Sequence, residues 1–320
     1  MFDVSCIGVI TADVFAKPIE ALPEKGLLSK VDQIQLSVGG CASNAAIDLA
    51  KLGLKAQLFG RIGDDSFGRF VKGEIEGYGV GTEGLRIGGG AQTSSSMVAV
   101  NAEGERSIMH CFGSNAEFCL ADIDFEKIRR APVLFVAGTF LMPSFDGGGA
   151  CELLKRASAE NILCCLDTAW DPSGVWMDKI RGCLPYLDWF MPSYEEAAML
   201  GGGKKNPEEI AEVFVSLGAK NIVIKLGARG CYVKPRNKNG FYKDTYSEVP
   251  VADTSGAGDS FCAGFIAGLS KGWEPEACAR FANAVGSMCV MQMGTTAGVG
   301  TFEETLAFIA DRDPHENFLY

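Results

Sequence analysis

A run of small residues ending in a carboxylate, Asp253-Thr254-Ser255-Gly256-Ala257-Gly258-Asp259-Ser260-Phe261, leads into an amphipathic stretch. Small residues leave backbone N–H groups bare, and the positive end of a helix beside them makes a hole for an anion. A carboxylate placed there would repel phosphate unless its work is to take a proton from an incoming nucleophile. Asp259 therefore reads as a general base, although an Asp after a glycine turn is also an ordinary helix cap. A second stretch, Ser37-Val38-Gly39-Gly40-Cys41-Ala42-Ser43-Asn44, also opens a helix. Paired glycines let the backbone approach a ligand, and Asn44 offers both donor and acceptor, which suits hydroxyls. Here too a glycine turn with a capping Asn is the alternative.

Gly39-Gly40-x-x-x-Asn44 and Asp253-Thr-Ser-Gly-Ala-Gly-Asp259 together resemble the two signature motifs of the PfkB, or ribokinase-like, carbohydrate kinase family, in that family's order and at its long separation. The resemblance runs over nearly the whole chain. It implies a Rossmann-like, doubly wound, mostly parallel α/β sheet flanked by helices, with a small β-sheet lid. It implies ATP and magnesium as cofactors, with Asp259 as catalytic base and Gly256, Ala257 and Gly258 as the anion hole. Its sugar contacts fall on Asp13, Gly39, Gly40 and Asn44. The family's Asn-x-x-Glu, which organises water around magnesium, appears as Ser193-Tyr194-Glu195-Glu196, keeping Glu196 and losing the Asn. Its Thr-Leu-Gly-x-x-Gly nucleotide stretch appears as Lys225-Leu226-Gly227-Ala228-Arg229-Gly230. Gly227 and Gly230 survive, while Lys225 either contacts phosphate or is a solvated charge at a strand end. Asn283 matches a position beside the adenine, and a monovalent cation such as potassium is implied near Asp253 and Ser255.

The acceptor is less defined. Ribokinase-type members carry a sugar-contacting Glu where this chain has Thr139-Phe140-Leu141-Met142, which points away from ribose. Met97, Arg106, Ser107 and His110 are left to set specificity. An Arg there would favour an acidic sugar such as 2-keto-3-deoxygluconate, and an apolar lid a nucleoside; His110 reads equally as a hairpin surface residue.

These side chains need a scaffold, and the apolar pattern supplies one. Short apolar runs at 4–10, 56–60, 133–138, 162–167, 189–191 and 222–226 alternate with helical patterns at 44–52, 68–76, 151–159, 194–200 and 207–217. Alternation of this kind favours a parallel sheet that binds ligands at the carboxyl ends of its strands. Segments 14–36 and 93–111 break the alternation and predict the lid, the second as a hairpin turning at 101–105. Residues 234–245 predict a further hairpin, and after Gly258 the chain is helical over 259–270, 275–291 and 302–310. Gly79-Val80-Gly81-Thr82-Glu83-Gly84 fits a dinucleotide fingerprint by letter but lacks a following helix, and Gly201-Gly202-Gly203-Lys204-Lys205 lacks P-loop spacing; both are expected to be turns.

The 320 residues fit one kinase domain over 1–320 with an appendage. A net charge of −11 argues against nucleic acid or anionic membrane as the main partner. The 12 cysteines lie in apolar segments without Cys-x-x-Cys pairs, which predicts reduced thiols in a cytoplasmic protein. Neither a basic leader nor an apolar run of about 18 residues is evident. The lid's apolar Val98, Val100 and Ile108 could join two subunits as a homodimer. The rival readings are a nucleoside kinase of the same fold, a non-catalytic sugar-binding regulator, which loss of Asp259 would have announced, and a dehydrogenase resting on the dinucleotide fingerprint.

Overall fold

Val4–Gly8 (β1) is buried along its whole length, as an apolar strand must be when helices cover both faces of a parallel sheet. The computed structural model describes residues 1–103, 106–246 and 248–313, and of Arg106 the backbone alone. The other strands are Thr11–Lys17 (β2), Gln33–Gly39 (β3), Ala56–Ile62 (β4), Gly81–Ile87 (β5), Ser95–Val100 (β6), Arg106–Cys111 (β7), Val133–Thr139 (β8), Leu163–Thr168 (β9), Trp189–Phe190 (β10), Asn221–Lys225 (β11), Cys231–Lys234 (β12) and Phe241–Lys243 (β13). The main sheet runs β13-β12-β11-β10-β9-β8-β1-β4-β5 among the described residues. It is parallel from β11 to β5, and the antiparallel β12 and β13 form the predicted hairpin at one edge. Strand alternation divides the core. Ile7 and Val9 face one apolar layer, while Val4, Cys6 and Ile10 face the other.

The predicted helices are present with adjusted ends. The helix expected at 44–52 spans Cys41–Lys51, and that expected at 259–270 spans Ala257–Ser270. The second shift matters, because Gly256 is the cap and Asp259 lies inside the first turn. The capping role open to Asp259 in the sequence is thereby set aside.

The lid is a separate sheet in the order β3-β2-β6-β7. It begins earlier and ends later than the predicted segment 14–36, so Asp13 and Gly39 both stand on lid strands, paired through Asp13↔Ser37 and Thr11↔Gly39. Gly104 and Glu105 of the predicted turn lie outside the described residues.

Three expectations are corrected. Gly81 and Gly84 belong to β5, parallel to β4, rather than to a turn, since a side chain at Gly84 would press on the Phe59 ring. Cys151 and Cys183 form a disulfide, 32 residues apart, where reduced thiols were expected; the other ten cysteines are free. Val98 and Val100 are buried, while Ile108 is exposed as expected, and the lid's other exposed apolar side chains are Ile34, Leu36, Met97 and Met109. Among the described residues, no helix is long and apolar enough to cross a membrane.

Candidate active site

The helices Cys41–Lys51 and Ala257–Ser270 pack against each other and bring the two glycine motifs together. Their N-terminal turns meet at Asp259. Asn44 Nδ2 donates to Asp259 Oδ2 at 2.8 Å, and Thr295 Oγ1 donates to Asn44 Oδ1 at 2.9 Å. Asn44 is buried and engaged at both ends, so in this geometry it orients Asp259. The Asp259 carboxyl is pushed up from its ordinary pKa by burial, against the opposing pull of Asn44, Lys225 and the Cys41 thiol. A carboxylate of raised basicity is better suited to accept a proton. Gly256 has φ 76°, and a side chain there would overlap the Thr295 carbonyl. Ala257 N–H reaches the Thr254 carbonyl at 3.4 Å, while Gly258 and Asp259 amides fall in the first turn, where no helical acceptor exists.

Asp259 opens on an acidic cavity of about 400 Å³, also lined by Cys41, Asp167, Glu196 and Lys225. Lys225 is largely withdrawn from solvent, its side chain 11% exposed, and grips Asp167 through both carboxylate oxygens at 2.7 Å. The solvated-charge reading of Lys225 is thus corrected. Burial pushes Asp167 up to about 7 against the pull of Lys225. Burial also opposes charge on Lys225, but Asp167 outweighs it and raises the ammonium's pKa. Ser193 caps the helix Tyr194–Leu200 in a reciprocal pair with Glu196, whose Oε2 accepts from Ser193 N at 3.0 Å and Thr168 Oγ1 at 2.9 Å. The serine that replaces the motif's Asn therefore serves as a cap, and Glu196 Oε1 has no protein partner among the described residues.

Behind the Gly256–Gly258 turn lies a second cavity, apolar and about 350 Å³, lined by Ala228, Val249, Val251, Phe261 and Val290. Its size and lining suit a nucleotide base. Asn283 borders it but spends its amide on the carbonyls of Lys243 and Asp244, each at 3.1 Å, fixing β13 against the helix Pro275–Cys289. Gly227 and Gly230 turn the chain at the mouth of this cavity.

On the lid, Asp13 is held by Ser96 and Thr11 and pushed up by burial, with His110 pulling the other way. Its Oδ1 is buried without a partner, a cost normally met by a ligand or water. A side chain at Gly39 would overlap the Asp13 carboxylate, which is why this motif position is bare. His110 Nδ1 lies 3.1 Å from Ser96 Oγ, on the Asp13 face, and its pKa is lowered by burial. Met97 and Ser107 stand in the alternate register and face away from Asp13, so their expected place at the acceptor is not supported. The Arg106 side chain lies outside the described residues.

The predicted cation loop is occupied by its own hydrogen bonds. Asp253 accepts from Ser255 N at 2.9 Å and Gly294 N at 3.0 Å, and the Ser255 carbonyl accepts the Cys289 thiol at 3.5 Å. These bonds order the loop, and no step is assigned to potassium. Sequence reasoning missed Asp167, Cys41, Ser96 and Thr295. Asp167 alone had a signal, a carboxylate ending an apolar run.

A family model described as "pfkB family carbohydrate kinase" matches residues 1–301. A ribokinase of Arabidopsis thaliana is 27% identical over 90% of this chain and 76% of its own length. A 2-dehydro-3-deoxygluconokinase of Bacillus subtilis is 27% identical over 92% and 93%. A structure of the Arabidopsis ribokinase complexed with ribose and ATP has TM-score 0.85 and 24% identity, covering 96% of this chain and 98% of its own. With both signature motifs meeting at one carboxylate and nearly the whole chain matched, this protein belongs to the pfkB family of carbohydrate kinases and is a sugar kinase of that family.

Proposed function

We propose that this enzyme transfers the γ-phosphoryl group of ATP to a hydroxyl, a primary alcohol, of a sugar-type acceptor, with Asp259 as general base. The observation that carries the reading is the wall between the two cavities. Lys225, Gly227 and Gly258 line both, so phosphates extending from a base held in the apolar cavity arrive at the helix terminus beside Asp259. The neighbouring ribokinase structure, which holds ribose and ATP, supports the same assignment by analogy.

The residues divide the work. Amides of the 256–258 turn receive the transferred phosphoryl oxygens, stabilising charge where it develops. Asp259, steadied by Asn44, takes the hydroxyl proton as the oxygen attacks in line. Asp13 grips acceptor hydroxyls with its unpartnered oxygen. Among the described residues, no three carboxylate, thiol or imidazole groups stand together as a metal cage. Magnesium suits this donor set, because it keeps waters and binds through few carboxylates plus phosphate oxygens. The open oxygen of Glu196 and the Asp167 carboxylate would hold that water shell, and the metal would neutralise phosphate charge.

The lid's exposed apolar side chains favour a homodimer formed through it, and the many free thiols suit the cytoplasm. An ATP-consumption screen over sugars, sugar acids and nucleosides, with products identified by phosphorus NMR, tests the reading. A phosphorylated sugar hydroxyl is expected; turnover with nucleosides alone would contradict it.

A further inference from the structure

Two backbone outliers of this chain touch each other beside the active site. Among the described residues, four that are not glycine have positive φ. Two of them, Asn161 and Asn237, are of a type that visits this region readily. Phe140, at φ 89°, and Trp176, at φ 51°, carry bulky side chains for which it is costly. Strain of this kind persists only where surrounding contacts hold it, and it gathers at functional sites. Phe140 follows β8, and Trp176 ends the loop after β9, so both stand at the carboxyl edge of the sheet, where such folds bind ligands. Their rings meet edge to face with centroids 5.6 Å apart, and Trp170 meets Trp176 in the same way at 4.8 Å.

Asp171 holds the loop from within the protein, its carboxylate fully buried. Its Oδ2 accepts from Trp176 N at 2.7 Å, and its Oδ1 accepts from Ser173 N at 3.0 Å, Ser173 Oγ at 2.7 Å and Lys179 Nζ at 3.1 Å. What this costly arrangement delivers is Trp170. Phe140 and Trp176 are buried, whereas Trp170 is 56% exposed and lines the same cavity as Asp259 and Cys41. A large ring left open on a rigid mount in the wall of a ligand cavity is a surface for a ligand.

Position and chemistry say which ligand. Trp170 takes no part in the apolar cavity that suits the nucleotide base. The face of an aromatic ring carries negative potential, so it repels phosphate oxygens and attracts C–H groups. The end of β8, from which Phe140 starts the aromatic series, adjoins the first glycine motif: a side chain at Gly138 would stand 3.5 Å from Cys41 Cβ. We propose that Trp170 is a specificity-determining contact of the acceptor, its indole face packing on the acceptor's C–H skeleton beside the hydroxyl that Asp259 activates. This rests on the kinase reading above and adds a contact to the same site.

The test compares wild type, Trp170→Ala and Trp170→Phe with fructose, ribose, gluconate, 2-keto-3-deoxygluconate and adenosine. For the acceptor that the wild type uses best, Trp170→Ala should raise KM at least ~10-fold, the scale of a lost aromatic contact, while the KM for ATP stays within ~2-fold. Trp170→Phe should recover most of the loss, because a ring face remains. An acceptor KM unmoved in Trp170→Ala, or a rise shared equally by ATP, overturns the proposal; the second result is what loosening of the loop alone would give. Emission supplies an independent readout, since of the four tryptophans Trp176 and Trp189 are buried and Trp273 is partly so. Acceptor added with a non-hydrolysable ATP analogue should shift the wild-type emission to the blue and leave Trp170→Phe unshifted. If none of the five compounds is phosphorylated, the same titration decides: a shift with any of them that is missing in Trp170→Phe supports the contact, and no shift with all five overturns it. Failure of the kinase reading would show elsewhere, as full turnover in Asp259→Asn or as no ATP consumption even where the emission shift reports a bound acceptor.

Discussion

Lys225 is where the charges of this site are balanced. Its ammonium is shared with Asp167 and acts on Asp259, opposing the upward push that burial gives that carboxyl. Replacing it by Met should move Asp259 further from its ordinary pKa, still upward. The acid limb of the kcat/KM profile, which reports the base losing activity as it is protonated, should therefore shift to higher pH. An unmoved limb in Lys225→Met would show that the two groups do not act on each other. The sequence marked Lys225 as a departure from the motif but could not choose between phosphate and solvent. What decides its environment is a carboxylate 58 residues away, on a strand two places along in the sheet, and sequence spacing carries no trace of that pairing.

Among elements, the segment after β8 shows how local conformation sets a titration. Phe140 is buried with φ 89°, and the turn that follows folds Asp146 back so that its Oδ2 accepts from Met142 N at 2.8 Å. Its Oδ1 is left buried without a partner, and burial pushes the carboxyl up to about 6. A folded-state pKa above the unfolded value of about 3.9 means that the native state holds the proton more tightly. The stability contributed is complete below pH ~4 and is lost as pH rises through ~6, by no more than a few kcal/mol. Melting temperature measured against pH should fall across that window in wild type and fall less in Asp146→Asn; parallel curves would refute the assignment. The strands and helices that carry the motifs were legible because apolar runs and glycine stops repeat along the chain. β5 was not, since Gly81 and Gly84 look like turn residues and are there because Phe2 and Phe59 crowd them. The facing of the lid strands was also hidden, because the side toward the body mixes Asp13 and Ser96 with the buried Val98 and Val100 while Ile34, Leu36 and Met97 are exposed.

At the scale of the whole molecule, the α/β sheet with its lid, the meeting of the two motifs and the family were all readable from sequence. Partner contacts such as Asn44 with Thr295 and the Cys151–Cys183 bond needed three dimensions. The lid's outward apolar face should mediate self-association. Met97→Lys together with Leu36→Lys should then convert a dimer to a monomer in light scattering at about 10 μM, a concentration where a weak interface still holds; a wild type already monomeric would remove the dimer from the account. The central claim is that Asp259 is the base of an ATP-dependent sugar kinase. Its most direct test is phosphorylation of the acceptor, followed by phosphorus NMR, in wild type and Asp259→Asn, with nucleotide and acceptor binding measured by calorimetry on both. The account predicts turnover reduced by at least ~100-fold with binding of both ligands retained. Near-normal turnover in Asp259→Asn would contradict it.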